Sequence, residues 1–443
     1  MAEIYPFRAL HYNPEFVPDL EKVVTQPYDK ISPEMQARYY EASPANLVRL
    51  ILRRNTPSSN ESVYREAACD FRSWIDQRIL ISESQPAIYP YIQDYQTPGD
   101  PRNRSQRRGF IALCSLEDYS AGVVHRHEET LSGPKADRLE LLKATRGNFG
   151  HIFMLYSDPS GEVENFWQRE IKAAPWERAQ DEYSTVHSVW RVSDPRTVEE
   201  VVEAMRPKKL VIADGHHRYE TSLAYCRERR AQAPEDDRAN YVMATFIPIE
   251  SPGLTILPTH RVVHSLNNFN WELFCSKAAE FFDLEPLAVS GTPEYDASKL
   301  RLLLERTGRQ RPTLVAYAGP KHAVLLSLKA DANLARALGE YPETLARLDV
   351  TLLHGLIIEK VMAIDRQAVR EQKHLRYVRE IVQAMKEVNA GEAQAAFLMN
   401  PTPIQAVCEN AFAGLALPQK STDFYPKLLS GLTIYWMDNP AGL

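Results

Sequence analysis

A chain of 443 residues exceeds the usual size of one compact core, so its length predicts two packed domains or one large domain with additions. Its 44% hydrophobic and 25% charged residues are typical of a globular protein and give no sign of extensive disorder. The formal net charge of -6 argues against nucleic-acid binding over the whole surface, because contacts with the phosphate backbone normally need a basic surface.

The five cysteines are odd in number, lie far apart and form no CxxC motif. This pattern argues against a disulfide framework or a zinc site and predicts free thiols in a reducing compartment. No segment reaches the roughly 18 apolar residues of a membrane-spanning helix, and the N-terminus lacks the pattern of a signal peptide. We therefore expect a cytoplasmic protein without a membrane partner.

The first half of the chain alternates apolar, strand-like runs with segments of helical spacing. Ser32 is a predicted N-cap, with Pro33 as the first helical residue. The run Asn46–Leu52 is apolar enough to predict a buried strand. Further predicted strands are Ile4–Leu10, Ala87–Tyr95, Arg108–Leu116, Ile152–Tyr156, Val186–Val192, Lys209–Ala213 and Ala239–Ile249; further predicted helices are Ser62–Leu80, Asp137–Thr145, Pro195–Met205 and Tyr219–Arg229.

The second half continues the alternation, which predicts an α/β protein of mixed α+β type. The motif-rich segment ends near Val262–Asn270, which places the predicted domain boundary after residue 265. This gives an N-terminal α/β domain 1–265 that carries the DGHHR turn and a C-terminal α/β domain 266–443 whose terminal segment could return to the site. The predicted helices here are Trp271–Phe282, Ala297–Arg306, Leu345–Ile364 and Gln372–Val388; the predicted strands are Thr313–Tyr317, Ala323–Leu328 and Ala395–Met399.

The strongest local signal is the turn Asp214-Gly215-His216-His217-Arg218, where an apolar strand passes directly into a helix. Gly215 permits a tight turn, and the amides at the start of a helix favour an anion. Arg218 adds a planar fork that suits phosphate oxygens, and the two histidines can donate hydrogen bonds or move protons. An ordinary turn capped by Asp214 and a His-His metal site are the alternatives, although no carboxylate stands at ligand spacing for a metal.

The loop Val123–Arg138 concentrates ionisable groups. Glu128 is a candidate general base, while Lys135 and Arg138 could hold a phosphoryl group during transfer. A solvated loop that leads into a helix is the alternative. His125 and His127 could also begin a metal-hydrolase site, but no suitably placed further ligands complete it. His127 and Thr130 are candidate substrate contacts.

Two other regions supply candidates. The segment Leu417–Leu432 carries Lys420, Ser421, Thr422 and Lys427 on a Pro-bounded stretch that suits an anionic ligand, although surface lysines are usually only solvated. Loops that leave predicted strands hold the remaining candidates, because strand ends are a usual ligand position in α/β sheets. These are Tyr28, His260 and Arg261 as substrate contacts and Asp29 as a second candidate base, with a routine Asx turn as the alternative for Tyr28-Asp29.

Six motifs carry a family resemblance: PFRALHYNPE, QPYDKIS, HEETLSGPKADRLELLKAT, IADGHHRYETSLAY, GLTILPTHRVV and LPQKSTDFYPKLLSGL. Together they resemble the domain of unknown function family 1015, from residue 4 to about residue 435. The DGHHR turn is also similar to the phosphate loop of the partition-protein and sulfiredoxin superfamily, in the form carried by archaeal free-serine kinases. The resemblance implies a phosphate-binding core of that type with an additional mixed sheet and helices, and binding of a phosphate donor at Gly215–Arg218.

We therefore predict a small-molecule kinase that moves a phosphoryl group from ATP, ADP or pyrophosphate to the hydroxyl of a small metabolite, with free serine as the acceptor by analogy. Glu128, Asp29 or His217 would be catalytic. Mg²⁺ would be carried largely by the phosphates, without a protein metal site. A P-loop is excluded because GxxxxGK[ST] is absent. A phosphatase acting on a small phosphomonoester and a nonenzymatic, nucleotide-binding or partition-like regulator remain the alternatives.

Overall fold

The computed structural model describes residues 1–54, 60–129, 133–171, 174–235 and 237–440, with the side chains of 60–62, 100–103 and 133–135 outside the description. The chain divides into two compact units. The first unit comprises Met1–Arg126, Thr130–Thr255 and Phe424–Leu443, and the second comprises His127–Glu129 and Ile256–Asp423. The domain boundary predicted after residue 265 refers to domains that fold independently, and it stays a prediction.

The described part of the first unit is built on a nine-stranded mixed sheet. Its centre is the antiparallel hairpin of Tyr89–Thr97 and Asp100–Ser115, and Ile152–Tyr156 pairs in parallel with Tyr241–Pro248. The strand that leads to the DGHHR turn, Leu210–Asp214, lies near one edge. The strand order is Val124–Arg126, Leu210–Asp214, Ile152–Tyr156, Tyr241–Pro248, Asp100–Ser115, Tyr89–Thr97, Val186–Val189 and Glu177–Gln180, with Ile4–Tyr5 paired to Asp100–Ser115.

One face of this sheet packs on a core that includes Ile152, Ile212 and Phe246, all fully buried. The predicted N-cap is confirmed, since Ser32 Oγ accepts a hydrogen bond of 3.2 Å from Met35 N. The helices of this unit are Pro33–Ala42, Val48–Ile51, Asn60–Asp76, Gly133–Thr145, Glu162–Gln168, Pro195–Met205 and His216–Gln232; the short strand pairs are Leu10–Tyr12 with Leu80–Ser82 and Gly147–Asn148 with Tyr435–Trp436.

The strand predicted at Asn46–Leu52 is wrong, because the segment forms the short helix Val48–Ile51. Asn46 decides this outcome. Its side-chain oxygen accepts from Val48 N at 2.9 Å, while its amide nitrogen donates to Lys22 O at 2.7 Å. A local side-chain bond of this kind starts a turn and competes with strand pairing.

The second unit contains an antiparallel sheet of six strands among its described residues. Its core includes Val262, Val315 and Leu398, and the helices Pro293–Gly308 and Ile381–Asn389 supply further core residues. The strand order is Phe282–Pro286, Ala323–Leu328, Thr313–Tyr317, Ala395–Met399, His260–Val263 and Leu375–Val378.

One helix prediction in this unit is wrong in its first part, and another is only partly right. The segment Gln372–Val388 contains the strand Leu375–Val378, which pairs with His260–Val263, before its helix begins at Ile381. The segment Leu345–Ile364 is helical over most of its length, but as the short helices Glu343–Ala346 and Asp349–Leu352 followed directly by the π-helix Leu353–Val361. The remaining helices are Trp271–Ala278, Leu334–Ala337, Arg366–Arg370 and Ile404–Phe412; Thr255–Leu257 and Asp423–Tyr425 are short strands.

The mixed α/β class predicted from the alternation of elements is confirmed by the two sheets and their helices. No helix within the described ranges is both long and apolar enough to cross a membrane.

Candidate phosphate-binding site

The turn Asp214–Arg218, called here the phosphate-loop turn, joins the strand Leu210–Asp214 to the 17-residue helix His216–Gln232. Gly215 has φ 92°, the left-handed conformation that glycine adopts without a steric penalty. The first backbone bond of the helix runs from Tyr219 N to Gly215 O at 2.9 Å. The amides of residues 216–218 precede that bond and lie at the positive end of the helix, where an anion is favoured.

The charged side chains of the turn contact one another. Arg218 donates from Nη1 to the carbonyl oxygen of His151 and from Nη2 to Asp214 Oδ2, the latter at 3.3 Å. Lys427 Nζ lies 3.9 Å from Asp214 Oδ1. These side chains are 17%, 26% and 9% exposed for Arg218, Asp214 and Lys427. The fold thus joins the phosphate-loop turn to a lysine more than two hundred positions later.

A cavity of about 80 Å³ that opens to solvent lies beside this turn. Three predicted residues line it: Tyr28, Arg138 and Arg218. The guanidinium carbon of Arg138 lies 4.3 Å from the centre of the Tyr28 ring, which is stacking distance for a cation on an aromatic face. We call this space the arginine cavity. Its lining also includes Ile51, Leu141, Asn148, Gly150, Thr221 and Ser430, none of which the sequence pattern singled out.

Arg138 is held by a backbone carbonyl and by the carboxylate of the preceding residue. Arg138 donates from Nη1 to Ile51 O at 2.6 Å and from Nε to Asp137 Oδ2 at 2.7 Å.

Burial and the Asp29 carboxylate raise the pKa of Tyr28, against the opposing charges of Arg218 and Arg138. The phenol therefore stays protonated at neutral pH and can donate a hydrogen bond to a ligand.

Behind Arg218 lies a buried histidine that the sequence patterns did not identify. His151 Nδ1 is 2.7 Å from Thr245 Oγ1 and Nε2 is 3.2 Å from Thr433 Oγ1. Burial, with a smaller effect of the Arg218 charge, lowers the pKa of His151 to about 3. His151 is thus neutral at physiological pH and supports the turn without adding charge.

Arg107 is a second residue that sequence reasoning missed, and it is completely buried in the first unit. Its Nε donates to Gln93 Oε1 at 2.9 Å and its Nη1 to Tyr425 O at 3.1 Å, and Nη2 also contacts Pro426 O. Burial lowers the pKa of Arg107 to about 10, so the group remains cationic at neutral pH. These bonds position the start of the segment that carries Lys427.

A second group of candidates lies within the second unit. His127 Nε2 lies 2.7 Å from Thr422 Oγ1, and Glu128 Oε1 accepts from Lys420 N at 2.7 Å. Glu128 Oε2 is 3.8 Å from His127 Nε2. Residues from the two predicted motifs HEET and QKST therefore contact one another, although nearly three hundred positions separate them.

Arg261 and His260 are fully buried in the second unit. Arg261 donates from Nε to His354 Nε2 at 3.2 Å and from Nη2 to Gln419 O at 3.1 Å. Burial lowers the pKa of Arg261 to about 10 and that of His260 to about 3. The bond to Gln419 holds the segment that carries Lys420.

The remaining candidates are placed as follows. Asp29 is exposed next to Tyr28, His216 is buried and His217 is half-buried. Ser421 Oγ donates to Pro418 O. Thr130 and the side chain of Lys135 lie outside the described residues.

The family model for the protein of unknown function DUF1015 matches residues 4–351. The chain belongs to this family. The family predicted from the motifs is therefore confirmed, and no curated protein matches the chain.

Several solved structures match most of this DUF1015 protein at low identity. A conserved hypothetical protein from Pyrococcus furiosus has 9% identity and a TM-score of 0.35, covering 74% of this chain and 95% of the other. A free serine kinase variant in complex with AMP has 11% identity and a TM-score of 0.36, covering 73% and 92%. C-terminally truncated SbnI from Staphylococcus aureus has 11% identity and a TM-score of 0.33, covering 73% and 87%. Similarity at this level does not transfer a function.

Proposed function

We propose that this DUF1015 protein is a phosphotransferase that binds a phosphate group at the phosphate-loop turn and transfers phosphoryl groups to the hydroxyl of a small metabolite. The observation that carries the proposal is the position of Arg218. Its guanidinium lines the arginine cavity together with Arg138, directly beside the start of a long helix.

This arrangement suits phosphate for three physical reasons. Backbone amides at a helix start bind oxyanions, and the helix dipole adds attraction. An arginine can donate two parallel hydrogen bonds to a phosphate group. A second arginine balances the negative charge that spreads over the phosphoryl oxygens during transfer. Lys427 adds a cation beside Asp214, and Lys420 belongs to the second group of candidates.

The hydroxyl proton of the acceptor needs a base. In the first unit we assign this role to Asp29, which is exposed and adjoins the cavity residue Tyr28. Glu128 is the second candidate, since its carboxylate is already engaged by the Lys420 amide at 2.7 Å. Asp29→Asn should lower kcat with little change in KM if Asp29 is the base, whereas Glu128→Gln should do so if Glu128 is.

The donor and the metal belong to the same proposal. ATP, ADP or pyrophosphate would present its phosphates to Arg218, and Mg²⁺ would bind mainly to the donor. The carboxylates beside the cavity arginines support the assignment of Mg²⁺ to the donor, because they are already paired: Asp214 with Arg218 and Asp137 with Arg138. Within the described residues, no three His, Cys, Asp or Glu side chains cluster as a metal site.

The test is phosphorus NMR of the purified protein with Mg²⁺, each donor in turn and a panel of small hydroxyl compounds that includes serine. We expect a new phosphomonoester signal that disappears in Arg218→Ala and persists in Arg196→Ala, which removes an exposed arginine from another helix of the same unit. Orthophosphate alone would favour the phosphatase alternative. No reaction and no donor binding would overturn the proposal and favour a regulatory binding protein.

A further inference from the structure

The lining of the arginine cavity has a charge pattern that narrows its ligand. Arg138 and Arg218 line it, but the described lining residues include no aspartate or glutamate. Asp137 and Asp214 contact these arginines and are engaged by them. Asp29, the proposed base, is exposed and is not among the lining residues. A cationic group inside the cavity would therefore meet two guanidinium groups without a lining carboxylate to pair with, which is electrostatically unfavourable.

A second observation concerns Thr221, one turn beyond Arg218 on the same helix. Threonines in helices commonly donate to a carbonyl one turn earlier. In this chain Thr145 Oγ1 donates to Leu141 O at 2.8 Å, and Thr307 Oγ1 donates to Leu303 O at 2.7 Å. Thr221 differs from both: it lines the arginine cavity, is 5% exposed, and its hydroxyl has no hydrogen-bond partner among the described residues.

A buried hydroxyl without a partner is unfavourable, because it has lost its bonds to water. Leu142, Phe149 and Val242 contribute apolar side chains to the same lining, and none of its described polar groups forms a hydrogen bond with the Thr221 hydroxyl. A ligand oxygen would supply the missing bond.

We infer that the phosphorylated ligand of the arginine cavity is a small organic phosphate without an ammonium group, whose non-phosphate part carries a hydroxyl or carbonyl oxygen that bonds to Thr221. This inference rests on the proposed phosphate site. It makes Thr221 a specificity-determining residue. It also narrows the acceptor class, because neutral or acidic hydroxyl metabolites fit the lining better than amino acids such as serine.

Calorimetric titration with two matched ligand pairs tests both parts. Ethyl phosphate and phosphoethanolamine differ by one ammonium group, and we expect ethyl phosphate to bind at least about tenfold more tightly. Glycerol phosphate and propyl phosphate differ in their hydroxyl groups. Thr221→Val should shift the ratio of their dissociation constants about tenfold towards propyl phosphate, the value of one lost hydrogen bond.

Two further variants serve as controls. Thr221→Ser keeps the hydroxyl and should retain the wild-type ratio. Thr351→Val removes a buried hydroxyl in the second unit that likewise has no partner among the described residues, and it should leave the ratio unchanged.

The outcomes separate this inference from the proposed function. If the phosphate esters bind in an Arg218-dependent manner but phosphoethanolamine binds as tightly as ethyl phosphate, or Thr221→Val leaves the glycerol-to-propyl ratio unchanged, the inference is wrong and the phosphate site stands. If no ester binds to the wild-type protein, both are wrong.

Discussion

Replacing His151 by glutamine should remove a defined part of the protein's sensitivity to acid. A histidine in an unfolded chain has a pKa of about 6.5, whereas burial lowers the pKa of His151 to about 3 in the folded protein. Because the folded-state value is the lower one, its contribution to stability is complete above pH 6.5 and is lost as the pH falls towards 3. Between pH 8 and pH 5 the linkage relation gives a loss of about 2 kcal/mol in the free energy of unfolding.

Urea unfolding at pH 8 and pH 5 measures this difference. The second unit contains only Trp271 of the six tryptophans, so a Trp271→Phe background makes tryptophan emission a probe of the first unit. Wild-type protein should lose about 2 kcal/mol more than His151→Gln between the two pH values. Equal losses, or a His151 NMR resonance that titrates near pH 6.5, would refute the reasoning.

Three further substitutions should have separable effects. Arg107→Met removes a buried donor from several oxygens and should lower the free energy of unfolding by about 3 kcal/mol or more, measured by urea unfolding; a change below about 1 kcal/mol would contradict it. Gly215→Ala forces a side chain to φ 92° and places Cβ 3.0 Å from Arg218 Nη2, so it should cost about 1–2 kcal/mol and weaken phosphate binding in calorimetry. Ser32→Ala loses the cap to Met35 N, costing about 1 kcal/mol in the same unfolding assay, with phosphate affinity unchanged.

Sequence patterns predicted the features that depend on neighbouring residues. The strands Ile152–Tyr156 and Thr313–Tyr317 agree with the structure because short apolar runs bounded by polar residues suit buried strands. The cap at Ser32 and the passage from strand to helix at Gly215 are equally local. Such features need no knowledge of the distant chain.

Other features depend on contacts that no local pattern records. Asn46 starts a helical turn partly because its side-chain amide donates to Lys22 O, a residue far away in sequence. The apolar run that follows therefore forms a helix and not the predicted strand. The arginine cavity combines Gly150, Thr221 and Ser430 from three distant segments. Only the folded chain brings these small residues into one lining with Arg218.

The first unit is discontinuous in sequence, and this has a consequence for biosynthesis. Residues 424–443 supply Ser430 to the cavity and Lys427 to the turn, while residues 256–423 belong to the second unit. A growing chain on the ribosome can therefore form the strands around the DGHHR turn long before it can complete the proposed phosphate site. The site should become competent only once residues 424–443 have emerged, so a nascent chain that stalls earlier would lack ligand affinity.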